Sequence, residues 1–303
     1  MKKILITGSN GLLGQKLVHL LNQEPYNTLY QIIASSRGEN RVSAFQSLHY
    51  ESLDVSQAED VNRVIGLLKP QIIIHTAAMT QVDQCETEKE LCWSLNVKAV
   101  ENLINACREN NSFLIHLSTD FIFDGDDGPY DEEATANPVS YYGESKLEAE
   151  KLLRESDIRW AIVRTVLVYG ITEAMSRSNI ILWVKKSLEE GKSIQVVDDQ
   201  WRTPTLAEDL ALGCVLIADQ EKEGIYNISG KDFLSPYEMA LQTADFFNLD
   251  KSLIVRTDGS KFSQPAKRPP KTGFIIEKAR RELGYEPHSF KEGIALLSTQ
   301  IEM

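Results

Sequence analysis

The stretch Met1-Lys-Lys-Ile-Leu-Ile-Thr-Gly-Ser-Asn-Gly-Leu-Leu-Gly14 opens the chain and decides its fold. Lys3–Thr7 is typical of a buried strand, and apolar residues recur at helical spacing after the glycines. Gly8, Gly11 and Gly14 permit a tight turn and a close approach of pyrophosphate to the backbone, and the helix N-terminus supplies N–H groups. The stretch therefore predicts a dinucleotide site, although its spacing is G-x-x-G-x-x-G instead of G-x-G-x-x-G.

Short apolar runs alternate with amphipathic stretches along the first half of the chain. This alternation predicts an α/β fold with a doubly wound parallel Rossmann sheet. The expected strands are Lys3–Thr7, Gln31–Ser35, Leu48–Leu53, Gln71–Thr76, Phe113–Ser118 and Trp160–Val166. The expected helices cover residues 11–22, 56–69, 86–110 and 139–156, and Ser56-Gln-Ala-Glu59 predicts a capping box for the second helix.

The alternation becomes irregular after about residue 170. Helices are expected there at 177–190, 205–218, 235–248 and 277–284, with strands at Ser193–Val197 and Gly224–Ser229. We therefore expect residues 1–170 to form an NAD(P)-binding Rossmann domain, to which segments near 193–230 return. Residues 171–303 are expected to form mainly a smaller C-terminal α/β substrate-binding lobe.

Composition narrows the class of protein. The chain has 303 residues, 42% of them hydrophobic, and a net charge of −12, which disfavours binding to nucleic acid or anionic membranes. No apolar run approaches the length of a membrane span, and the N-terminus leads directly into a strand without the pattern of a signal peptide. The four cysteines and five histidines lack metal-ligand spacing, so we expect a cytoplasmic protein with reduced cysteines and no metal site.

A tyrosine and a lysine form the first candidate for catalysis. Val139-Ser-Tyr-Tyr-Gly-Glu-Ser-Lys146 places Tyr142 four residues before Lys146, so both side chains lie on one helix face. A nearby ammonium favours the phenolate form of a tyrosine, which would prepare Tyr142 for proton transfer. Taken alone, such a pair is also typical of an ordinary charged helix face.

Phe113-Leu-Ile-His-Leu-Ser-Thr-Asp120 is a predicted strand that ends in hydroxyl groups. Ligands of open parallel sheets bind beyond the carboxyl ends of the strands, where the glycine turn and Thr76-Ala-Ala78 are also expected. Thr119 is therefore predicted to hydrogen-bond a substrate carbonyl beside Tyr142. The alternative is that Ser118 and Thr119 only satisfy backbone groups at the strand end.

These motifs together resemble the extended short-chain dehydrogenase/reductase family. Four stretches are similar to its dTDP-4-dehydrorhamnose reductase branch: Ser118-Thr-Asp-Phe-Ile-Phe-Asp-Gly125, Asn137-Pro-Val-Ser-Tyr-Tyr-Gly-Glu-Ser-Lys146, Asp199-Gln-Trp-Arg-Thr-Pro-Thr205 and Arg268-Pro269. The resemblance implies reduction of a nucleotide-activated 4-keto sugar, as in dTDP-rhamnose biosynthesis. It assigns catalysis to Thr119, Tyr142 and Lys146, with Tyr142 as general acid and Lys146 holding the nicotinamide ribose.

The chain departs from the branch where the resemblance places substrate. Leu167 stands where the branch has tryptophan, Arg202 stands where it has glycine, and Arg268-Pro-Pro-Lys-Thr-Gly-Phe274 differs from R-P-x-N-S-x-L. The identity of the sugar therefore stays open. The expected substrate-binding residues are Asp120, Phe121, Leu167 and Arg268. Asn96 resembles the family's helix asparagine, which would support a water or backbone link in proton supply, and a plain buried polar role is the alternative.

The cofactor is predicted from the second strand, which ends Ala34-Ser-Ser-Arg-Gly38 without the carboxylate that holds a ribose 2′-hydroxyl. Arg37 can pair with a 2′-phosphate, which predicts NADPH, and NADH is the alternative because Glu39 follows closely. Asp54-Val55 resembles the family's adenine contact. The full set of expected cofactor-binding residues is Gly8, Asn10, Gly11, Leu12, Leu13, Gly14, Arg37, Asp54, Val55, Ala77, Ala78, Tyr142 and Lys146.

Two other functions remain open. One is an NAD-retaining nucleotide-sugar epimerase or dehydratase, but Phe121 follows Asp120 where the family's dehydratases carry an Asp-Glu pair. The other is a noncatalytic NADP-binding regulatory subunit, because the branch resembles the β subunit of methionine adenosyltransferase. We also consider a homodimer.

Overall fold

The computed structural model describes residues 1–43, 48–173 and 178–301. Its strands are β1 (Lys2–Thr7), β2 (Tyr30–Ser36), β3 (His49–Ser52), β4 (Ile72–His75), β5 (Phe113–Thr119), β6 (Trp160–Thr165), β7 (Val168–Tyr169), β8 (Ile194–Val197), β9 (Thr205–Leu206), β10 (Gly224–Asn227) and β11 (Ile254–Thr257). Among these described residues, seven strands form one parallel sheet in the order β10-β6-β5-β4-β1-β2-β3. The order reverses at β1 and β4, which confirms the doubly wound prediction and marks the switch point where ligands bind in such sheets.

Helices cover both faces of this sheet. They are α1 (Leu12–Leu21), α2 (Tyr26–Leu29), α3 (Ala58–Leu68), α4 (Val82–Thr87), α5 (Lys89–Trp93), α6 (Ala99–Asn110), α7 (Tyr141–Glu155), α8 (Ile180–Glu189), α9 (Ala207–Gln220), α10 (Pro236–Phe246), α11 (Glu277–Leu283) and α12 (Phe290–Ile301). Alternation along β1 places Ile4 and Ile6 in the core with α1, α9 and α11, and Leu5 in the core with α3, α6 and α7. Successive side chains of β1 point to opposite faces of the sheet, and both faces are buried. The apolar run in its sequence is therefore continuous.

Two local predictions were wrong. The helix expected over 86–110 is divided into α4, α5, a π-helical turn at Ser94–Lys98 and α6. The capping box expected at Ser56 does not form, because the Ser56 hydroxyl donates to Asp54 Oδ1 at 2.7 Å and α3 starts from Gln57 without a side-chain cap. A capping box is present instead at Ser235 and Glu238, at the start of α10.

Most of residues 178–301 build a smaller body beside the sheet, called here the C-terminal body. Strand β8 pairs in parallel with β11, whereas β10 joins the main sheet next to β6. Helices α8, α10 and α12 contribute to two compact apolar clusters of their own, and neither α12 nor β11 was predicted. The helix expected at 177–190 begins at Ile180, and residue 177 lies outside the described residues.

No helix in the described ranges is both long enough and apolar enough to cross a bilayer.

Candidate active site

The glycine turn has the geometry that close approach of a ligand requires. Gly8 has φ +72°, a conformation that favours glycine, and the Gly11 N–H donates to the Gly8 carbonyl at 2.9 Å. A Cβ on Gly14 would lie 2.4 Å from the Gly8 carbonyl oxygen, so the turn leaves no room for a side chain there. Helix α1 follows at Leu12, and no side chain caps its N-terminus. The predicted strand, turn and helix are confirmed, and Leu12 and Leu13 form the first turn.

Asn10 fixes the loop that follows β2. Its backbone N–H donates to Ser36 Oγ at 3.0 Å, and its side-chain amide bonds the backbone of Glu39 and Arg41. Arg37 lies in this loop with an exposed side chain, and it forms no ion pair with residues 1–43, 48–173 or 178–301. The guanidinium is therefore open to solvent beside the glycine turn.

The loops after β3 and β4 border the same edge. Asp54 Oδ1 accepts from the N–H and the hydroxyl of Ser56, while the Val55 carbonyl accepts from Asn102 Nδ2 at 3.1 Å. Ala77 contacts the glycine turn, since a Cβ on Gly8 would lie 2.8 Å from its N atom. Ala78 follows it in the same loop, partly exposed.

Asn96 holds the loop after β4 against α7. Its Oδ1 accepts from the Met79 N–H at 2.9 Å, and its Nδ2 donates to the Met79 carbonyl at 3.1 Å and to Ser145 Oγ at 3.0 Å. Asn96 is buried within the π-helical turn, a geometry that often marks functional sites. Its described contacts thus join the backbone of the loop after β4 to helix α7, and a link in proton supply stays a prediction.

Thr119 and Tyr142 meet where β5 ends and α7 begins. The Thr119 hydroxyl accepts from the Phe121 N–H at 3.3 Å and donates to Asp120 Oδ1 at 3.0 Å. Tyr142 stands in the first turn of α7, which Ser140 caps, and it is only 8% exposed. Its ring lies edge-on to Phe121, with 5.7 Å between centroids.

Burial governs the protonation of Tyr142 in this structure. Burial raises the pKa of its hydroxyl above the usual value, Thr119 partly opposes the rise, and Asp120 adds to it. The phenolate expected beside Lys146 stays a prediction, since burial has the largest effect on the Tyr142 pKa and favours the neutral form. Tyr142 is a neutral phenol, which is the form that donates a proton.

Lys146 lies beneath the site, fully buried against two stacked histidines. Its Nζ is 3.2 Å from His116 Nε2, and the His116 and His75 rings stack with centroids 5.5 Å apart. Burial lowers the pKa of Lys146 to about 8, and Glu150 opposes the shift. Burial and the lysine charge hold the pKa of His116 well below its usual value, so a neutral imidazole accepts from the ammonium.

The residues predicted to bind substrate differ in burial and in hydrogen-bond partners. Asp120 is buried, and both of its oxygens have protein partners. Leu167 has φ +39° and is 43% exposed after β6. Arg268 forms a bidentate pair with Asp83 of α4 at 3.0 and 2.7 Å, which holds the pKa of that carboxyl below its usual value. Asp83 was not singled out from sequence.

A cavity of about 280 Å³ lies in the C-terminal body, beside α8 and β8. Arg268 lines it together with the half-exposed rings of Trp183 and Phe262 and the amides of Gln195 and Gln200. Sequence reasoning predicted Arg268 but missed Trp183 and Phe262, since two aromatic residues 79 positions apart carry no local motif. Within the described ranges, no group of three or more His, Cys, Asp or Glu side chains could hold a metal ion.

The sheet is doubly wound, and the glycine turn lies at its switch point, before a helix without a side-chain cap. Thr119, Tyr142 and Lys146 stand at the same edge of the sheet. This fold and site define an extended short-chain dehydrogenase/reductase. Comparison with known proteins specifies the family. The chain belongs to the family described as RmlD substrate binding domain, whose model matches residues 1–303.

Three relatives show the range of this likeness. The chain is 33% identical over 256 residues to methionine adenosyltransferase 2 subunit beta of Xenopus tropicalis, covering 83% of this chain and 74% of that one. It is 30% identical over 306 residues to the dTDP-4-dehydrorhamnose reductase of Aggregatibacter actinomycetemcomitans, covering 97% of both. The crystal structure of Bacillus anthracis dTDP-4-dehydrorhamnose reductase in complex with NADP has a TM-score of 0.86 at 28% identity, covering 99% of this chain and 100% of that one.

Proposed function

We propose that the protein is an NADPH-preferring reductase of a nucleotide-activated 4-keto sugar. The observation that carries the proposal is the buried neutral Tyr142 beside Thr119, with Lys146 on the same helix face. A ketone reduction needs one proton donor at the carbonyl oxygen, and a phenol kept protonated by burial is suited to that role. The named reductase relatives, similar over nearly the whole chain, support the same reaction class.

The residues present fit a nicotinamide dinucleotide. Gly8 and Gly14 leave a turn that a Cβ would fill, and the uncapped N-terminus of α1 offers N–H groups to a pyrophosphate. We assign the turn, Asn10, Leu12 and Leu13 to the pyrophosphate side, Asp54, Val55, Ala77 and Ala78 to the adenosine side, and Arg37 to the 2′-phosphate. When bound, the reduced nicotinamide supplies the hydride.

The chain's own groups then divide the remaining work. Tyr142 donates its proton to the carbonyl oxygen as negative charge grows there. The Thr119 hydroxyl, which donates to Asp120 Oδ1 in this structure, turns to donate to the same oxygen. Lys146 donates to ribose hydroxyls, and its ammonium stabilises the tyrosinate left behind. Phe121 packs on the Tyr142 ring and restrains it, with 5.7 Å between the centroids.

The C-terminal body is assigned to the substrate. We propose that residues 171–301, apart from the strand and helix that return to the main sheet, hold the nucleotide portion. The cavity lined by Trp183, Phe262 and Arg268 offers stacking surfaces and a cation, which suit a base and a diphosphate. Leu167 is exposed where a sugar ring could pack against it. A substrate diphosphate would compete with Asp83 for Arg268.

A subunit role is the second candidate, favoured by the 33% identity to methionine adenosyltransferase 2 subunit beta. One set of assays separates the candidates. Purified protein is mixed with NADPH and a panel of nucleotide 4-keto sugars, while bound nucleotide and co-purifying proteins are identified by mass spectrometry. A reductase consumes free NADPH, an epimerase or dehydratase purifies with NAD, and a subunit is recovered with a partner and without turnover.

Cofactor preference depends on Arg37. Arg37→Ala is expected to weaken NADPH binding about 10–100-fold, because one charge-assisted bond to the 2′-phosphate is worth roughly 1.5–3 kcal/mol. Binding of NADH should hardly change, since it lacks that phosphate. Dissociation constants come from nucleotide fluorescence titration, with Arg63→Ala, another exposed arginine, as control. Equal weakening of both cofactors would rule out the assignment.

The charge on Lys146 should be visible in the pH dependence. A pKa of about 8 means that the ammonium is present below pH 8 and lost as pH rises through it. Wild-type kcat/KM should therefore fall above about pH 8, and Lys146→Met should show a low rate without that limb. Lys151→Met, an exposed lysine of α7, is the matched control. A variant that keeps the wild-type profile would show that another group titrates.

A further inference from the structure

We propose that Arg202 is a positioning residue that ties segment 266–272, and with it Arg268, to Asp120 beside the candidate site. This inference rests on the proposed reductase function. Arg202 stands where the reductase branch has glycine, so it is a feature of this chain and not of the motif that identified it.

The guanidinium of Arg202 donates its hydrogen bonds to groups within the protein. Nη1 donates to the carbonyls of Trp201 at 2.8 Å and Pro270 at 3.1 Å, and Nη2 donates to the Pro269 carbonyl at 2.7 Å. Its Nε lies 3.6 Å from Asp120 Oδ2. Arg202 is only 5% exposed, so these bonds form away from water, where losing one leaves a polar group unsatisfied.

Asp120 completes the connection to the catalytic group. Its Oδ2 accepts from the Thr272 hydroxyl, and its Oδ1 accepts from the Thr119 hydroxyl at 3.0 Å. The carboxylate thus joins the far end of segment 266–272 to Thr119. The ionised form accepts from both hydroxyls at once, whereas a protonated carboxyl would turn one of these bonds around. In its ionised form Asp120 therefore holds both ends of this connection.

Arg202 supplies the positive charge that favours the ionised form of Asp120. Burial raises the pKa of Asp120, and Arg202 is the cation that opposes it. Tyr142 of α7 also faces the carboxylate, and its neutral form supplies no positive charge. Arg268 faces Arg202 from segment 266–272. Segment 266–272 also carries Arg268, which the proposed function assigns to substrate. Arg202 thus joins the segment that carries Arg268 to the carboxylate beside Thr119.

Two substitutions separate the two roles of Arg202. Arg202→Lys keeps a cation near Asp120 but loses most of the carbonyl bonds, and Arg202→Met loses both. Both variants should raise KM, because the segment that carries Arg268 is released. Arg202→Lys should recover part of the loss seen in Arg202→Met, since it keeps a cation beside Asp120, and kcat should change less than KM in both variants. Thr272→Val, which removes one bond to Asp120, should raise KM less than Arg202→Met, with normal NADPH binding.

Limited proteolysis tests the anchoring role without requiring turnover, so its result does not depend on the proposed function. Trypsin cleavage after Lys271 should be about tenfold faster or more in both Arg202 variants, since the anchored segment opens more often. Cleavage after exposed Lys192 serves as the internal control. Unchanged cleavage after Lys271, or an unchanged KM in Arg202→Met, would overturn the proposal. Absence of turnover in the wild type would instead reject the reductase function, and the cleavage result would still decide the anchoring role.

Discussion

Tyr142→Phe is expected to lower kcat for ketone reduction by about 10²–10⁴-fold, the usual contribution of general acid catalysis. The substitution removes one hydroxyl and leaves the ring against Phe121, so NADPH should bind as in the wild type. The steady-state rate and a fluorescence titration of NADPH measure the two quantities on the same preparation. Loss of rate with retained binding is the signature of an interaction made in the transition state.

Tyr141→Phe is the matched control, because Tyr141 is the preceding residue of the same helix and is partly exposed. It should keep near wild-type activity. Equal rates for Tyr142→Phe and the wild type would remove the tyrosine from the mechanism and favour the subunit role.

Glu150→Ala is expected to cost about 3–5 kcal/mol of unfolding free energy, because it leaves a buried guanidinium without its counter-charge. Glu150 Oε1 and Oε2 accept from Arg164 Nε at 3.0 Å and Nη2 at 2.8 Å, and both side chains are almost completely buried. Tyr142, Lys146 and Glu150 follow at four-residue spacing on one face of α7, so this pair clamps the helix of the candidate site to β6.

Urea unfolding measures this loss as a lower midpoint at an unchanged slope. The control is Glu148→Ala, which removes an exposed pair with Lys151 on the same helix and should change the unfolding free energy by less than about 1 kcal/mol. Replacing both buried partners, as Glu150→Leu with Arg164→Met, should recover much of the loss. A cost for Glu150→Ala no larger than that for Glu148→Ala would contradict the account.

The sequence predicted those features that local pattern determines. Strand, glycine turn and helix follow from apolar periodicity and from the conformations that only glycine adopts, and the structure has all three. The Tyr142 and Lys146 positions follow from helical spacing. The break of the 86–110 helix was not predictable in this way, since the bonds of Asn96 to Met79 and Ser145 that surround it join distant segments.

The chemistry of the candidate site depends on burial, which a motif does not report. The Tyr142–Lys146 spacing indicated a favoured phenolate, but desolvation raises the tyrosine pKa and lowers that of the lysine. The pairing of Arg268 with Asp83 and the contacts of Arg202 with Asp120 span 185 and 82 positions of the chain. Such contacts are set by the packing of the two parts of the fold, so sequence spacing could not reveal them.

The most direct test of the central claim is the fate of a hydride. NADPH that carries deuterium at both C4 positions of the nicotinamide is incubated with the protein and a nucleotide-activated 4-keto sugar, and the product is analysed by mass spectrometry and NMR. The account predicts a product with one deuterium at C4 of the sugar, formed by wild type and lost in Tyr142→Phe. A product without deuterium, or no product with any sugar nucleotide while NADPH stays bound, would contradict it.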